Sequence, residues 1–213
     1  MAKCTYCSAP LTANTTVCRY CNVRNDIDLQ GNHHYQINGI AEDQQCPHCQ
    51  INLENIKLTN ADLLVHRCNG CYGLFFNPGQ VETLLDATVS ESLQINLQLL
   101  DTINQDRYQG NKPFKYLKCP VCQAFMNRHV FAYRSGVVVD QCQLHGIWLE
   151  NGELTHLLEW KSAGGELLQN KNPQTQPLQK PSALSNQHLE YRVENSEIGM
   201  LDVLNTLFSQ FLR

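Results

Sequence analysis

Pairs of cysteines separated by two residues constrain this chain more than any other feature of its sequence. Ten of the eleven cysteines form five such pairs, and the eleventh, Cys142, precedes His145 at the same spacing. A C-x2-C turn directs two sulfurs toward one point, and two facing turns supply the tetrahedral donors of a structural zinc site. Six turns predict three zinc ions. The predicted ligands are Cys4, Cys7, Cys18, Cys21, Cys46, Cys49, Cys68, Cys71, Cys119, Cys122, Cys142 and His145.

The gaps between the pairs favour pairing in chain order. They are 10 residues from Cys7 to Cys18, 18 from Cys49 to Cys68 and 19 from Cys122 to the C-x2-H pair, each long enough for a loop or a hairpin. The other gaps, 24 and 47 residues, are longer, and the second contains a helical pattern. Sequential pairing is therefore favoured over an interleaved cross-brace.

The ligand count also bears on the compartment and on catalysis. An odd number of cysteines leaves one thiol over in any closed disulfide framework, and the start of the chain, MAKCTYC, lacks an apolar signal segment. The odd count favours metal binding over disulfides. The missing signal segment and the absence of any apolar run near the length of a membrane span predict a protein of the reducing cytoplasm. A catalytic zinc keeps one position for water, whereas each predicted site has four protein ligands. Structural zinc and a protein that is not an enzyme are expected.

Two segments of the chain repeat each other beyond their ligands. HRCNGCYGLFFNPGQVETLL aligns with DQCQLHGIWLENGELTHLL when one extra residue is allowed after Cys71. Apolar residues at positions i, i+3 and i+4 in both predict a short helix after the second turn. The matched pairs are Gly73 with Gly146, Phe75 with Trp148, Phe76 with Leu149, Gly79 with Gly152, Val81 with Leu154, Leu84 with Leu157, and Leu85 with Leu158.

Each of these segments also contains a predicted β-hairpin. MNRHVFAYRSGVVVDQ places strand-prone residues on both sides of Ser135-Gly136, and NIKLTNADLLVHR turns at residues 59–62. Such a ribbon has little core of its own, so metal binding supplies much of its folding free energy. The aromatic residue and the helix are expected to cover one face of the hairpin.

The third unit, CPVCQAFMNRHVFAYRSGVVVDQCQLHGIWLENGEL, closely resembles bacterial zinc ribbons of the transcription factor IIB type. Their pattern is CPxC, a hairpin, then CxxC or CxxH, glycine, an aromatic, leucine, an acid, any residue and Gly-Glu-Leu. The second unit resembles a diverged copy in which Asn77-Pro78-Gly79-Gln80-Val81 replaces the acidic ending. CTYCSAPLTANTTVCRYC resembles only the general short zinc ribbon. A fold resemblance alone does not transfer function.

The remaining segments are predicted as connectors and helices. HYQI at 34–37 suggests a strand. A capping box at 88–91 predicts a helix from about 90 to 108. Its apolar stripe of Leu93, Leu97, Leu100 and Ile103 is expected to pack on the ribbons rather than on a second copy of the chain. Residues 164–188 have linker composition. The apolar face of EIGMLDVLNTLFSQFLR predicts an amphipathic helix at 197–212 that docks on its own ribbons or binds a protein.

Charge disfavours nucleic acid as the partner. The formal net charge is −4, and eleven thiolates with three Zn²⁺ ions would lower it to about −9. Phosphate binding needs a clustered positive surface, which is not evident in the sequence, although one ribbon could still bind a specific nucleic acid. Catalysis is also disfavoured, because Glu150 and Glu153 do not form a helical H-E-x-x-H pattern with His145. Glu153 is expected to cap or begin its helix.

The sequence thus predicts a small metal-stabilised α+β protein built from three zinc ribbons with short helices. The predicted regions are a short ribbon at 1–25, a ribbon at 46–87, a helical connector at 88–112, a ribbon at 113–163, a flexible linker at 164–188, and a strand plus amphipathic helix at 189–213. The predicted function is a zinc-binding, non-catalytic adaptor that binds another macromolecule, and a protein is the expected partner. The alternatives are a transcription-related nucleic-acid-binding protein and, third, a zinc-dependent hydrolase or its accessory. Self-association through 90–108 or 197–212 is a further hypothesis.

Overall fold

One antiparallel sheet of seven strands, ordered β1-β2-β3-β4-β7-β6-β5, joins the two repeated segments in the computed structural model. The structure describes residues 3–11, 16–29, 34–59, 61–89, 94–105 and 115–171. The strands are β1 (Tyr35–Gln45), β2 (Asn52–Leu58), β3 (Leu63–Arg67), β4 (Leu74–Phe76), β5 (Asn127–Val130), β6 (Val138–Cys142) and β7 (Gly146–Leu149). The helices are α1 (Gln80–Thr88), α2 (Leu97–Gln105), α3 (Glu153–Ser162) and α4 (Gly165–Lys171). The fold is therefore α+β, as the sequence predicts.

The two repeats are related by an internal pseudo-two-fold axis. Strands β2, β3 and β4 with helix α1 form one repeat, and strands β5, β6 and β7 with helix α3 form the other. Their last strands pair with Phe75 opposite Trp148, Leu74 opposite Leu149 and Phe76 opposite Ile147. Since Phe75 and Trp148 are equivalent residues of the repeat, the axis passes through this pair. The ribbons are two halves of one sheet rather than separate modules.

Both helices that follow the second metal turn lie on one face of the sheet. The predicted apolar residues Val81, Leu84 and Leu85 of α1 are buried, as are Leu154 and Leu157 of α3, while Leu158 is partly buried. They pack on inward-facing strand residues of both repeats in one continuous core. The helix covers one face of each hairpin as expected, and the two helices share a single apolar core. The aromatic residue does not lie on that face, so this part of the expectation is wrong.

Phe75 and Trp148 fill the opposite face, and both are fully buried. They pack with Leu53, Leu117 and Met126 and with cysteines of the second and third metal sites. Gly73 permits this packing, because a Cβ atom at that position would lie 2.2 Å from Cζ2 of Trp148. Trp148 is thus a packing residue, and the metal turns are part of the same core.

The helix predicted from about residue 90 begins later. Thr88 ends α1 instead of capping the next helix, and α2 starts at Leu97. Asn96 caps it, since its Oδ1 accepts a hydrogen bond of 2.9 Å from the Leu99 N–H. Leu100 and Ile103 are buried against Trp160 and Ala163, as expected for packing within the chain. Leu97 is 48% exposed, and Leu93 lies outside the described residues.

The predicted linker at 164–188 is wrong in its first part. Helix α4 occupies Gly165–Lys171, and Trp160 packs so closely on Gly165 that a Cβ there would lie 2.1 Å from its Nε1. Glu166 also forms an ion pair of 3.0 Å with the buried Lys161. Glycine here serves close packing rather than flexibility. Residues 172–188, and the strand and helix predicted at 189–213, lie outside the described residues.

The N-terminal connector is more ordered than its polar composition suggests. Strand β1 extends the predicted 34–37 segment to eleven residues and pairs with β2, from Tyr35 opposite Leu58 to Gln45 opposite Asn52. In the first ribbon, isolated bridges join Lys3 to Pro10 and Val17 to Arg24, and residues 12–15 lie outside the described ranges. The connector therefore becomes the outermost strand of the sheet.

Candidate metal centres

The five C-x2-C turns share one backbone geometry, and the C-x2-H turn closes through pairing of Cys142 with Gly146. In each of the five C-x2-C turns the first cysteine accepts a backbone hydrogen bond from the residue after the second cysteine, for example from Gln50 to Cys46 at 2.9 Å. That next residue adopts a left-handed φ. The residues are Ser8 (57°), Asn22 (58°), Gln50 (58°), Tyr72 (63°) and Gln123 (60°), and Gly146 (124°) after His145.

The turns meet in the predicted sequential pairs. Three groups of four donor atoms form, and within each group all donors lie within 4.8 Å of one another. The groups are Cys4, Cys7, Cys18 and Cys21; Cys46, Cys49, Cys68 and Cys71; and Cys119, Cys122, Cys142 and His145. The interleaved cross-brace is thereby excluded, and every predicted ligand lies in a site.

Donor distances match the size of a zinc ion. Four sulfurs at about 2.3 Å from zinc in a tetrahedron are separated by about 3.8 Å. The Sγ atoms of Cys4 and Cys21 lie 3.5 Å apart, and those of Cys46 and Cys71 lie 3.6 Å apart. In the third site His145 presents Nδ1, which lies 3.4 Å from the Sγ of Cys142. The three sites are therefore suited to zinc.

The thiols of the second site need a cation to ionise together. Contact with Cys68 raises the pKa of Cys46 to about 12, and contact with Cys46 and Cys68 raises the pKa of Cys71 further. A second or third thiolate in so small a space is repelled by the first, and a divalent cation removes this penalty. The donor chemistry thus fits Zn²⁺. When bound, the ion would join the two turns of each ribbon and leave no vacant position.

Burial differs among the sites. Three of the four ligands of the second site are buried, whereas in the third site only Cys119 is buried and Cys122 is exposed. Three ligands of the second site, Cys46, Cys68 and Cys71, pack in one cluster with Phe75 and Trp148. Loss of this site is therefore expected to disturb that cluster.

Residues 25–29, where the first ribbon ends, anchor that ribbon to the sheet. Asp28 is buried beside the start of α3, where its carboxylate accepts hydrogen bonds from Gly152 N, Thr155 N and Thr155 Oγ1 at 2.7–2.8 Å. Burial raises the pKa of Asp28 to about 6, so the group is still mostly ionised at neutral pH. It caps a helix that begins about 125 residues later in the chain.

Two further contacts strengthen this anchor. Asn151 donates to the Asn25 carbonyl at 2.7 Å and accepts from Ile27 N at 3.0 Å. Asp26 accepts two hydrogen bonds from the buried Arg67, through Nε at 3.2 Å and Nη2 at 2.7 Å. The polar residues Asn25, Asp26 and Asp28 are only a weak sign of such a role, because no local pattern specifies a partner so distant in sequence.

Replacing Asp28 by alanine is expected to lower the free energy of unfolding by about 2–3 kcal/mol, because three donors at the start of α3 lose their buried acceptor. Urea denaturation of the zinc-loaded protein measures the change. Glu82→Ala is the matched control, since Glu82 is an exposed acidic residue in the first turn of α1 and its replacement should cost less than about 0.5 kcal/mol. Equal effects of the two substitutions would contradict the anchor.

The acidic residues near His145 have structural contacts. Glu153 begins α3, and its Oε2 accepts a hydrogen bond of 2.8 Å from Glu150 N, in agreement with its predicted role at the helix start. Glu150 Oε1 lies 3.3 Å from Nε2 of His48, so it bridges to the neighbouring ribbon. Neither carboxylate belongs to the ligand groups. Both carboxylates therefore make contacts between ordered segments of the chain.

The fold and the donor sets are consistent with zinc ribbons, and the three Cys/His groups are suited to zinc. Two of its ribbons, residues 45–87 and 118–160, match the family model described as "Transcription factor zinc-finger", the zinc ribbon of the transcription factor IIB type. The predicted resemblance is thus confirmed for both copies. Among curated proteins and among solved structures, no match was found. None of the helices in the described ranges is long and apolar enough to cross a membrane.

Proposed function

We propose that this protein is a non-catalytic adaptor whose zinc ribbons form a fixed platform for binding another protein. The observation that carries the proposal is the complete set of four protein donors in each site. A site with four protein ligands uses its zinc to hold backbone segments together and has no position for a substrate or an activated water.

The surface of the ribbons supports an interaction role. Large apolar side chains project from the turns, with Tyr6 78%, Phe125 68% and Leu144 77% exposed. Aromatic and aliphatic side chains of this size on an ordered backbone are typical anchors of protein interfaces. The buried anchor at residues 25–29 and the shared sheet hold these turns at fixed positions.

The charge of the chain favours protein over nucleic acid as the partner. Its formal net charge is −4, which thiolate ligation of zinc makes more negative. A phosphate backbone binds through the release of counterions by clustered cations, and an acidic protein gains little from this. The predicted apolar face at 197–212 would add a second contact for a protein partner.

Capture of partners by the tagged, zinc-loaded full chain tests the proposal, with and without residues 189–213 and with and without nuclease. We expect a stoichiometric protein partner that survives nuclease and rebinds when both components are purified. Loss of every partner on nuclease treatment would overturn the adaptor function. Turnover of a substrate that is lost on replacing a residue outside the ligand sets would do so as well.

One observation favours a second candidate, which is binding of nucleic acid by the third ribbon. Lys118 lies over the ring of the exposed Phe125, with Nζ 5.7 Å from the centroid, and Arg128 is exposed nearby on β5. Cations and aromatic rings together are the usual contacts to single strands. Gel retardation over a range of salt concentrations separates the two candidates, because tight and salt-sensitive binding is expected only of the second.

A further inference from the structure

We propose that the first zinc ribbon binds a single-stranded nucleic acid, which stacks two bases on Tyr6 and Tyr20 and places its phosphates near Lys3, Arg19 and Arg24. This inference goes beyond the adaptor function and does not depend on it. It also concerns a different ribbon from the second candidate function. The observations that carry it are the distribution of charge along the chain, the exposure of the two rings and the contacts that hold them.

Positive charge is concentrated in the first ribbon. Residues 1–25 contain Lys3, Arg19 and Arg24 and no acidic residue, whereas the other 13 basic and all 20 acidic residues give 26–213 a formal charge of −7. All three cations are exposed, and none of them forms an ion pair with a carboxylate in the described ranges. Four thiolates and one Zn²⁺ ion lower the charge of this ribbon by about 2, so it stays positive when its zinc is bound. A phosphate strand is therefore attracted locally by a chain that is acidic as a whole.

Two exposed tyrosines lie beside the metal site of this ribbon. Tyr6 is 78% exposed and Tyr20 is 62% exposed, and each directly precedes the second cysteine of its turn. The Sγ atoms of those cysteines, Cys7 and Cys21, lie within 4.8 Å of each other, so both rings belong to the metal-binding end of the ribbon. The equivalent residues of the other two ribbons are His48, Gly70, Val121 and Leu144. A pair of tyrosines thus occurs only in the ribbon that is also positive.

Arg19 holds the ring of Tyr20 in a stacked arrangement. The Cζ atom of its guanidinium group lies 4.9 Å from the centroid of the ring, and Nη2 donates a hydrogen bond of 2.8 Å to the Tyr20 hydroxyl. Aromatic rings and guanidinium planes are both stacking surfaces for unpaired bases. A base stacked on this pair would also have a cation close to its phosphate. The arrangement therefore combines the two contacts that a single strand needs.

The turn that carries Tyr6 is fixed to the rest of the chain. Thr5 donates two hydrogen bonds to Oδ1 of Asn25, from its N–H at 2.9 Å and from its hydroxyl at 3.1 Å. Asn25 is buried, and its carbonyl accepts a hydrogen bond from Asn151. Arg24 lines the same cleft as Thr5, so a cation lies next to the Tyr6 turn. A surface that is held in this way loses little conformational entropy on binding.

The positive surface of the first ribbon is short. The cleft that Arg24 lines has a volume of about 120 Å³ and also contains Asp26 and Arg67. Arg67 pairs with both Asp26 and Glu54, at 2.7 Å and 3.1 Å, so the positive surface ends at this cleft. Three cations for phosphates predict a slope of about −2 in a plot of log affinity against log salt concentration for a single strand. The expected complex is therefore weak and involves two stacked bases.

Two other polyanionic partners match fewer of these features. An acidic peptide would pair with the three cations, but its carboxylates gain nothing from the rings of Tyr6 and Tyr20. A nucleic acid duplex has a higher charge density, but its bases are stacked inside the helix and cannot reach the two tyrosines. Only a single strand offers phosphates and unpaired bases together.

Fluorescence anisotropy of the zinc-loaded full chain tests the proposal. The probe is a fluorescein-labelled oligothymidylate of twelve residues, and the comparisons are its duplex with oligoadenylate and a glutamate peptide of twelve residues. We expect the single strand to bind with the shallow salt dependence given above and at least fivefold tighter than either comparison. This weak binding differs from the tight complex that is expected of the third ribbon.

Ring substitutions locate the stacking site. Tyr6→Ala and Tyr20→Ala should each weaken binding of the oligothymidylate at least fivefold, because each removes a stacking surface. Tyr6→Phe and Tyr20→Phe keep the ring and should bind nearly as well as the unaltered chain. The matched control is Phe125→Ala, which removes an exposed ring of the third ribbon and should leave the affinity unchanged.

Charge substitutions test the phosphate contacts. Lys3→Gln should weaken binding and make the salt slope shallower by about 0.7. Lys118→Gln is the matched control, because Lys3 and Lys118 each precede the first ligand of a ribbon and form equivalent isolated bridges. The salt slope of this control should not change. Three bound zinc ions and an unchanged circular dichroism spectrum verify that all variants are folded.

The proposal fails on any of four results. They are absence of oligothymidylate binding, equal or tighter binding of the glutamate peptide or the duplex, unchanged affinity of both tyrosine-to-alanine variants, and loss of affinity in Phe125→Ala or Lys118→Gln instead. The last result assigns nucleic-acid binding to the third ribbon. The adaptor function is tested independently, because protein capture after nuclease treatment should be the same for Tyr20→Ala and for the unaltered chain.

Discussion

Cys68→Ser is expected to weaken zinc binding at two sites rather than one. Cys68 is fully buried and shares a cluster with Phe75, Trp148 and Cys119, the last of which is a ligand of the third site. Loss of a structural ligand removes much of a zinc-binding free energy of ~10 kcal/mol. The strands that the second site connects belong to the same sheet that positions the ligands of the third site. Native mass spectrometry at limiting zinc should show a main species with one ion instead of three.

Cys7→Ser is the matched control for this experiment. Cys7 is an exposed ligand of the first site, whose small cluster of Cys4, Leu11 and Cys18 is separate from the sheet core. Its replacement should cost one ion and leave the circular dichroism of the sheet nearly unchanged. If Cys68→Ser also loses a single ion and the third ribbon unfolds at an unchanged urea concentration, the two ribbons are independent. Independent ribbons are what the sequence alone would predict.

Gly146→Ala is expected to destabilise the protein by about 4 kcal/mol or more. A Cβ at this position would lie 1.9 Å from the carbonyl oxygen of Phe76, a backbone atom that cannot move without separating β4 from β7. The left-handed φ of 124° adds a conformational cost of about 1–2 kcal/mol. Urea denaturation in excess zinc measures the loss.

Gly152→Ala isolates the conformational part of that effect. Gly152 also has a left-handed φ, 97°, but a Cβ there would meet nothing within 4 Å. Its replacement should cost only about 1–2 kcal/mol. The difference in destabilisation between Gly146→Ala and Gly152→Ala measures the cost of the steric clash between the two repeats. Similar losses at both positions would refute the tight pairing of β4 with β7.

Local features of the sequence specified the metal sites. Each C-x2-C turn closes through hydrogen bonds within six residues, so spacing alone identified all twelve ligands and the chain order of their pairing. Short-range periodicity likewise identified the buried faces of α1 and α3. The sequence did not predict the boundaries of α2 and α4 correctly. Asn96 rather than Thr88 caps α2, and Gly165 packs against Trp160 instead of ending the ordered region.

Contacts between distant segments were not predictable from one sequence. Asp28 caps α3 and Asp26 pairs with Arg67, yet each residue by itself resembles any polar residue of a connector. The alignment of the two repeats matched Phe75 with Trp148, but it did not predict that these two residues pair across neighbouring strands. A repeat shows that two units have the same fold, and it does not show whether they share an interface.

The axis through Phe75 and Trp148 makes this chain the covalent equivalent of a homodimer. Two separate copies of such a ribbon would join by isologous strand pairing, and they would come apart on dilution. Tethering raises the effective concentration of each half for the other, so assembly no longer depends on how much protein a cell makes. Tethering also lets the halves diverge: one half keeps four cysteine ligands, whereas the other has three cysteines and His145.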